Sequence, residues 1–140
     1  MSNLTIAMPK GRLFEKSIKI IEEMNIISNP ADFDILSRKL IYEDKVKNNS
    51  FLLAKPKDVP AYIEHGAADI GITGKDVIME HDKNLYELLD LGFGSCKLVV
   101  AVPKESGIEK VEDIPEHSRI ATSYPGITRR YFNKLGIQVD

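Results

Sequence analysis

The sequence has 140 residues, a formal net charge of −2, and a composition that is 43% hydrophobic and 29% charged. This length suits one domain or slightly more, and the apolar content argues against a disordered chain. The near-neutral balance argues against a general nucleic-acid or anionic-membrane binder, which carries a clear basic excess. Any anion site must therefore be local.

The first part of the chain alternates between short apolar runs and amphipathic segments. Strands are predicted where apolar residues cluster between turn signals, at residues 4–8, 34–42, 51–54 and 68–73, with a turn at 48–50. A helix is predicted over residues 14–24, because apolar residues recur there at spacings of three and four. Shorter helices are predicted from the cap residue Asp58 to Gly66, and around residues 77–79.

In the second part, Gly92 and Gly94 precede residues 97–102, the clearest buried strand of the sequence. A strand at 119–122, a helix over 127–135 and the start of a strand at 137–139 follow. We place a boundary between a first lobe, residues 1–92, and the start of a second lobe, residues 93–140. The alternation predicts an α/β fold with largely parallel sheets. Residues 6–12 and 120–130 both read as strand, loop and basic helix start, which predicts two lobes facing a cleft.

The first candidate anion site is Pro9-Lys10-Gly11-Arg12, where a strand leads into a helix N-terminus. Free backbone N–H groups and the helix dipole favour an anion there, and glycine lets the backbone approach a ligand closely. Lys10 and Arg12 oppose the helix dipole, and a bound phosphate would explain their position. The alternative is a solvated basic turn.

The second candidate is Gly71-Ile72-Thr73-Gly74-Lys75-Asp76, also between a strand and a helix. It is not a P-loop, because two residues instead of four separate Gly71 from Gly74, and Asp76 instead of Ser or Thr follows Lys75. Anion or ribose contacts remain open here. The alternative, which spacing alone favours, is a tight turn with Asp76 as the helix N-cap.

The third candidate combines hydroxyls at a strand end with arginines at a helix start: Thr122, Ser123, Tyr124, Thr128, Arg129 and Arg130. This combination suits a phosphate, and Tyr124 is available to stack on a base. The alternative has Thr128 as a helix cap and both arginines solvated. Lys55 and Lys57 add two cations at another strand end, a pattern that more often marks a solvated face.

The sequence contains neither a metal-ligand pattern nor a nucleophile pattern. Its three histidines are scattered and do not have metal-ligand spacing with Cys96. Cys96 is the single cysteine of the sequence, so an internal disulfide is excluded. Neither a signal peptide nor an apolar stretch long enough to span a bilayer is predicted. These features together predict a cytoplasmic protein.

Four segments, taken together and in order, resemble the catalytic chains of the ATP phosphoribosyltransferase family, short form. They are residues 6–13, residues 57–62 with 66–76, residues 90–98, and residues 119–125 with 128–132. The resemblance implies a two-lobed fold like that of periplasmic binding proteins, with the second lobe incomplete in this chain. Each segment alone is a weak signal, whereas the four in register are specific.

The resemblance implies transfer of phosphoribosyl from phosphoribosyl pyrophosphate to N1 of ATP, with release of pyrophosphate and with Mg²⁺. This is the first step of histidine biosynthesis. Family members form no covalent enzyme intermediate, so catalysis rests on positioning and charge stabilisation. We therefore name no residue of this chain as a catalytic acid, base or metal ligand.

Carried over by position, the resemblance assigns substrate-binding roles to the three candidate segments. Lys10, Gly11, Arg12 and Lys55 would hold phosphates, and residues 73–76 would line the first lobe's side of the cleft. Thr122, Ser123, Tyr124 and Thr128 would meet the nucleotide from the second lobe.

Family chains continue with an acidic loop, containing Gly and Thr, that binds the ribose 5-phosphate. The resemblance therefore implies a C-terminal truncation and leaves the activity of the 140 residues themselves open. Short-form members work with a regulatory partner resembling histidyl-tRNA synthetase, so we expect a hetero-oligomer. A non-enzymatic two-lobed module for small anions is the alternative function, because fold does not fix function.

Overall fold

The computed structural model describes residues 3–33, 39–81 and 84–140. The chain divides into two compact units, Met1–Gly94 and Ser95–Asp140. In the described residues it is a mixed α/β protein with one four-stranded sheet and four α-helices. Within the same ranges, no helix has the length and apolar character needed to cross a membrane.

The sheet lies entirely in the first unit and is built around its first strand. The strands are β1 (Thr5–Pro9), β2 (Ile41–Asp44), β3 (Asn49–Ala54) and β4 (Ile70–Gly71), in the order β2-β3-β1-β4. β1 is parallel to both β3 and β4, whereas β2 is antiparallel to β3. The prediction of an α/β fold with largely parallel pairing is therefore confirmed.

Two helices connect these strands, α1 (Phe14–Glu23) and α2 (Val59–Glu64), and α3 (Lys75–His81) follows β4. Short 3₁₀ turns occupy Pro30–Asp32 and Pro56–Asp58. Each connection from a strand into a helix leaves the sheet at the carboxyl end of a parallel strand. This arrangement places the loops after β1, β3 and β4 along one edge of the sheet.

An apolar core separates the sheet from α1. It consists of Ile6, Met8, Phe14, Ile21, Ile27, Phe33, Tyr42, Phe51 and Leu53, all buried. Phe33 lies at its centre, with ring centroids 4.8 Å from Tyr42, 5.3 Å from Phe51 and 5.8 Å from Phe14. Burying side chains of this size contributes about 1.5–3 kcal/mol each, so the cluster holds α1 on this face.

The opposite face of the sheet is covered by α2 with smaller side chains. Ala7, Ala54, Val59 and Ala68 form this second core, and Ile63 packs against it. A Cβ atom on Gly71 would lie 2.7 Å from Val59 Cγ1 and 2.8 Å from Ile63 Cδ1. α2 therefore approaches β4 closely because Gly71 has no side chain.

The second unit contains helix α4 (Pro125–Lys134) and two 3₁₀ turns, Lys104–Ser106 and Val111–Asp113. Phe132 of α4 and Ile114 are its buried apolar side chains. An isolated parallel bridge joins Ser118 to Val139.

Most predicted elements are present with shifted ends. The strands predicted at 4–8 and 51–54 and the helices predicted at 14–24, 58–66, 77–79 and 127–135 are confirmed. The strand predicted at 68–73 is shorter, covering Ile70–Gly71. Of the turn predicted at 48–50, only Asn48 lies in a turn, because β3 begins at Asn49. Of the strand predicted at 34–42, residues 34–38 lie outside the described residues, and β2 begins at Ile41.

The prediction of a buried strand at residues 97–102 is wrong. These residues are exposed and form no strand, and Val99 is 79% exposed. A strand needs a neighbour for its N–H and C=O groups, and no segment of the described chain pairs with this one. The apolar run indicated a preference for burial, but it carried no information about a pairing partner.

The strands predicted at 119–122 and 137–139 are also wrong as full strands. Their pairing is limited to the bridge at Ser118 and the bonds beside it. The N–H of Ile120 donates to the carbonyl of Asp140 at 2.9 Å, and the N–H of Asp140 donates to the carbonyl of Ser118 at 3.0 Å. The two segments therefore run alongside each other for too few residues to form a ladder.

Candidate functional site

The first group of candidate residues lies in the turn that joins β1 to α1. The N–H of Lys10 donates to the carbonyl of Ala54 at 2.8 Å, which extends the parallel ladder by one residue beyond β1. Gly11 follows with a φ of 91°, and the N–H of Phe14 donates to its carbonyl at 3.0 Å. A Cβ atom at Gly11 would meet nothing within 4 Å, so steric crowding does not require glycine here. The positive φ is what favours glycine at this position. Arg12 is exposed.

Lys55 lies in the equivalent position of the neighbouring strand. Pro9 is opposite Ala54 in the parallel register, so Lys10 and Lys55 are the next residues of adjacent strands. Lys55 is exposed and opens the 3₁₀ turn Pro56–Asp58. The ends of β1 and β3 therefore each present a lysine at the same edge of the sheet.

The loop after β4 is attached to the loop after β3. The N–H of Ile72 donates to the carbonyl of Ala7 at 3.0 Å, which aligns β4 with β1. The hydroxyl of Thr73 then donates to the carbonyl of Pro56 at 3.0 Å. This hydrogen bond places Thr73 beside the residue that follows Lys55, so all three strand ends contribute to one edge.

The start of α3 differs from the alternative considered for it. The helix begins at Lys75, so Asp76 is its second residue and the assignment of Asp76 as N-cap is wrong. The N–H of Val77 donates to the carbonyl of Gly74 at 3.1 Å, and a Cβ atom on Gly74 would clash with the Asp76 carboxylate. The ammonium group of Lys75 forms an ion pair with the carboxylate of Glu87.

The charges at this edge are distributed unevenly among the strand ends. The segments after β1 and β3 carry four basic side chains, Lys10, Arg12, Lys55 and Lys57, and one acidic side chain, Asp58. In the segment after β4, the carboxylate of Glu87 is paired with Lys75, and Asp76 is next in the chain. An anion is therefore attracted mainly to the ends of β1 and β3.

Asp44 has a clearly lowered pKa, and it lies at the other edge of the sheet. Asp44 ends β2 opposite Asn49, the first residue of β3. Burial raises its pKa, but hydrogen bonds outweigh burial and lower the pKa to about 2. These bonds come from the N–H and hydroxyl of Ser28 and from the N–H groups of Val46 and Lys47. Asp44 thus ties the β2-β3 hairpin to the loop that follows α1, and it takes no part in the candidate site.

In the second unit, the hydroxyl-bearing residues predicted to bind a ligand lie close together at the start of α4. The N–H of Tyr124 donates to the hydroxyl of Thr122 at 3.0 Å, and the hydroxyls of Thr122 and Thr128 are 3.3 Å apart. Thr122 and Ser123 are exposed. Tyr124 is the N-cap of the helix, so the alternative assignment of Thr128 as a cap is wrong.

The predicted residues thus form two groups, one in each unit. Lys10, Gly11, Arg12, Lys55 and Thr73 share the carboxyl edge of the sheet, with Gly74, Lys75 and Asp76 continuing from it. Sequence analysis missed Glu87, the partner of Lys75. Twelve residues separate the pair, and Glu87 lies in an irregular segment, so no periodic signal marked it.

The described residues do not by themselves form a metal site. Within residues 3–33, 39–81 and 84–140, no three His, Cys, Asp or Glu side chains lie together in a way that would hold an ion. Mg²⁺ commonly uses one or two carboxylates together with substrate phosphates. A Mg²⁺ ion held mainly by substrate phosphates would not require such a cluster of protein ligands.

The geometry defines an α/β protein whose parallel strands end in cation-bearing loops, where ligands bind in open α/β sheets. Residues 55–140 match the family described as HisG: ATP phosphoribosyltransferase. The chain belongs to this family.

Individual relatives agree with this assignment. The ATP phosphoribosyltransferase of Halothermothrix orenii is 58% identical over 140 residues, which are 100% of this chain and 63% of that relative. The enzyme of the same name from Thermoanaerobacter sp. is 45% identical over the same shares. The solved ATP phosphoribosyl transferase (HisG:HisZ) complex from Thermotoga maritima aligns with a TM-score of 0.76 and 31% identity, covering 98% of this chain and 61% of that one. The chain thus spans less than two thirds of these relatives.

Proposed function

We propose that this chain is part of an ATP phosphoribosyltransferase that catalyses the first step of histidine biosynthesis. The reaction transfers phosphoribosyl from phosphoribosyl pyrophosphate to N1 of ATP. Family membership supports the proposal. Within this chain, the main observation that supports the proposal is that basic residues follow two adjacent parallel strands.

The chemistry requires binding and charge stabilisation more than a reactive side chain. N1 of the adenine forms a bond to the anomeric carbon of the ribose, while the bond from that carbon to pyrophosphate breaks. The electron pair of the broken bond leaves with pyrophosphate, so negative charge grows on its oxygen. Lys10, Arg12 and Lys55 are the residues we assign to stabilise phosphate groups, and cations are the groups that stabilise such charge.

The loop before α4 is the part of the second unit that we assign to the nucleotide. Thr122, Ser123 and Thr128 offer hydroxyls for hydrogen bonds, and Tyr124 offers an aromatic ring for stacking on a base. The bond from the Tyr124 N–H to Thr122 supports this role, because it fixes the loop beside the helix start. Preorganised donors of this kind lower the cost of ordering a ligand.

For the complete protein we propose a two-lobed fold like that of periplasmic binding proteins, with the first lobe at residues 1–92 and the second beginning at residue 93. We further propose a cytoplasmic hetero-oligomer with a regulatory subunit resembling histidyl-tRNA synthetase. The similarity to the chain from the Thermotoga maritima HisG:HisZ complex supports the partner. Mg²⁺ would accompany the substrate phosphates.

Equilibrium dialysis tests the proposal against a non-enzymatic module for small anions. ATP is dialysed against the chain with inorganic phosphate, sulfate or amino acids as competitors. We expect ATP to bind in preference to these competitors, and the double variant Lys10→Gln/Arg12→Gln to bind it at least several-fold more weakly. Lys19→Gln, which removes an exposed cation further along α1, is the matched control and should bind normally. Preference for a simple anion over ATP would support the binding module instead.

A further inference from the structure

Lys75 is a cation of the candidate edge that already has an anionic partner. Its ammonium group contacts the carboxylate of Glu87, which lies in an irregular segment twelve residues further on. Lys75 follows Thr73 by two residues, and Thr73 is bonded to the carbonyl of Pro56 in the loop beside Lys55. The pair therefore belongs to the same edge of the sheet as the proposed phosphate-binding residues.

The ion pair is exposed enough to exchange. The Lys75 side chain is 63% exposed and that of Glu87 is 41% exposed. Exposed ion pairs of this kind contribute little net free energy, because water and salt screen them and both side chains lose freedom. A ligand with several negative charges binds the same ammonium group more strongly than a single carboxylate does.

Carboxylates near Lys75 oppose the binding of an anion to its ammonium group. The next residue is Asp76, whose carboxylate lies against Gly74 at the start of α3. Asp76 and Glu87 thus place two carboxylates near the one ammonium group of Lys75, whereas basic side chains predominate at the ends of β1 and β3. An arriving polyanion is therefore opposed here unless Glu87 moves away from Lys75.

We propose that Glu87 competes with the phosphate groups of the ligand for Lys75. In the ligand-free chain Glu87 holds Lys75, and a bound polyphosphate displaces it. The competition lowers the affinity of the site for polyanions, including the pyrophosphate product, and so favours product release. This inference rests on the proposed function, because it requires a phosphate site at this edge.

Titration of inorganic pyrophosphate into the 140-residue chain by isothermal calorimetry tests the competition. We expect Glu87→Gln to raise pyrophosphate affinity roughly two- to five-fold, which corresponds to an exposed ion pair worth about 0.4–1 kcal/mol. The gain should be smaller for inorganic phosphate, which carries less charge, and should shrink as potassium chloride is added. Glu87→Ala should give the same rise and serves if the glutamine variant unfolds.

A mutant cycle separates competition from a general charge effect. In the Lys75→Gln background, Glu87→Gln should leave pyrophosphate affinity unchanged, because the residue for which Glu87 competes is absent. Glu23→Gln removes an exposed glutamate at the far end of α1 and should also leave affinity unchanged.

The possible failures are distinguishable. An equal rise from Glu87→Gln with and without Lys75, or no rise at all while the unmodified chain binds pyrophosphate, would overturn the competition and leave the proposed function standing. Absence of pyrophosphate binding in both the unmodified chain and Glu87→Gln would overturn the phosphate site as well.

Discussion

Gly71 is a glycine at which one added methyl group should disturb the packing of helix α2 on the sheet that carries the candidate site. It belongs to β4 and lies under helix α2. In Gly71→Ala, the new methyl group would lie 2.7 Å from Val59 Cγ1, 2.8 Å from Ile63 Cδ1 and 3.2 Å from Ala7 Cβ. Favourable contacts between carbon atoms lie at about 3.5–4.0 Å, so α2 and β4 must separate by several tenths of an ångström or more.

The size of the effect follows from two opposing contributions. Forcing an extra methyl group into a packed core typically costs about 1–3 kcal/mol. Replacing glycine by alanine also restricts the unfolded chain, which restores about 0.4–1 kcal/mol. We therefore expect Gly71→Ala to lower the free energy of unfolding by about 1–2 kcal/mol.

Urea unfolding followed by circular dichroism measures this difference. With a slope of about 2 kcal/mol per molar urea, in the middle of the usual range, the midpoint should fall by roughly 0.5–1 M. Val59→Ala removes the nearest of the three contacts, so Gly71→Ala should cost less in that background than in the unmodified chain. An unchanged or raised midpoint for Gly71→Ala would refute the close packing of α2 on β4.

Three further substitutions test separate parts of the account. Gly11→Ala should destabilise the chain by about 1–2 kcal/mol, because alanine tolerates the φ of 91° poorly, and urea unfolding measures the loss. Asp44 has its pKa lowered to about 2, below the unfolded value of about 3.9, so it contributes stability above about pH 4 that is lost as pH falls towards 2. Asp44→Asn should remove this pH-dependent stability, which a thermal-unfolding series between pH 2 and 6 measures. An equal loss of stability with falling pH in the unmodified chain and in Asp44→Asn would contradict the prediction. Lys10→Gln should reduce the salt dependence of pyrophosphate binding, measured by calorimetry at several salt concentrations, whereas Lys19→Gln should leave it unchanged.

The elements around β1 could be predicted from the sequence because local signals and tertiary packing agree there. The apolar run before Pro9 and the helical spacing after Gly11 each predicted one element, and both are present. The basic residues of the candidate site were also predictable, since Lys10 and Lys55 each follow a strand. Parallel pairing then places them at the same edge.

Other features depend on partners that no local pattern reveals. Residues 97–102 have the composition of a buried strand, yet pairing requires a neighbour, and the described chain supplies none. The ion pair between Lys75 and Glu87 joins a helix to an irregular segment. The hydrogen bond from Thr73 to the carbonyl of Pro56 uses a backbone group, which every residue possesses. Sequence spacing is silent about contacts of these kinds.

The most direct test of the central claim is the formation of phosphoribosyl-ATP. A chain extended to the length of its relatives is mixed with ATP, phosphoribosyl pyrophosphate, Mg²⁺ and a HisZ-type subunit, and the products are followed by mass spectrometry. We predict phosphoribosyl-ATP and pyrophosphate in equal amounts, with formation greatly slowed by Lys10→Gln/Arg12→Gln and not by Lys19→Gln. Absence of phosphoribosyl-ATP from a folded chain that binds both substrates would contradict the account.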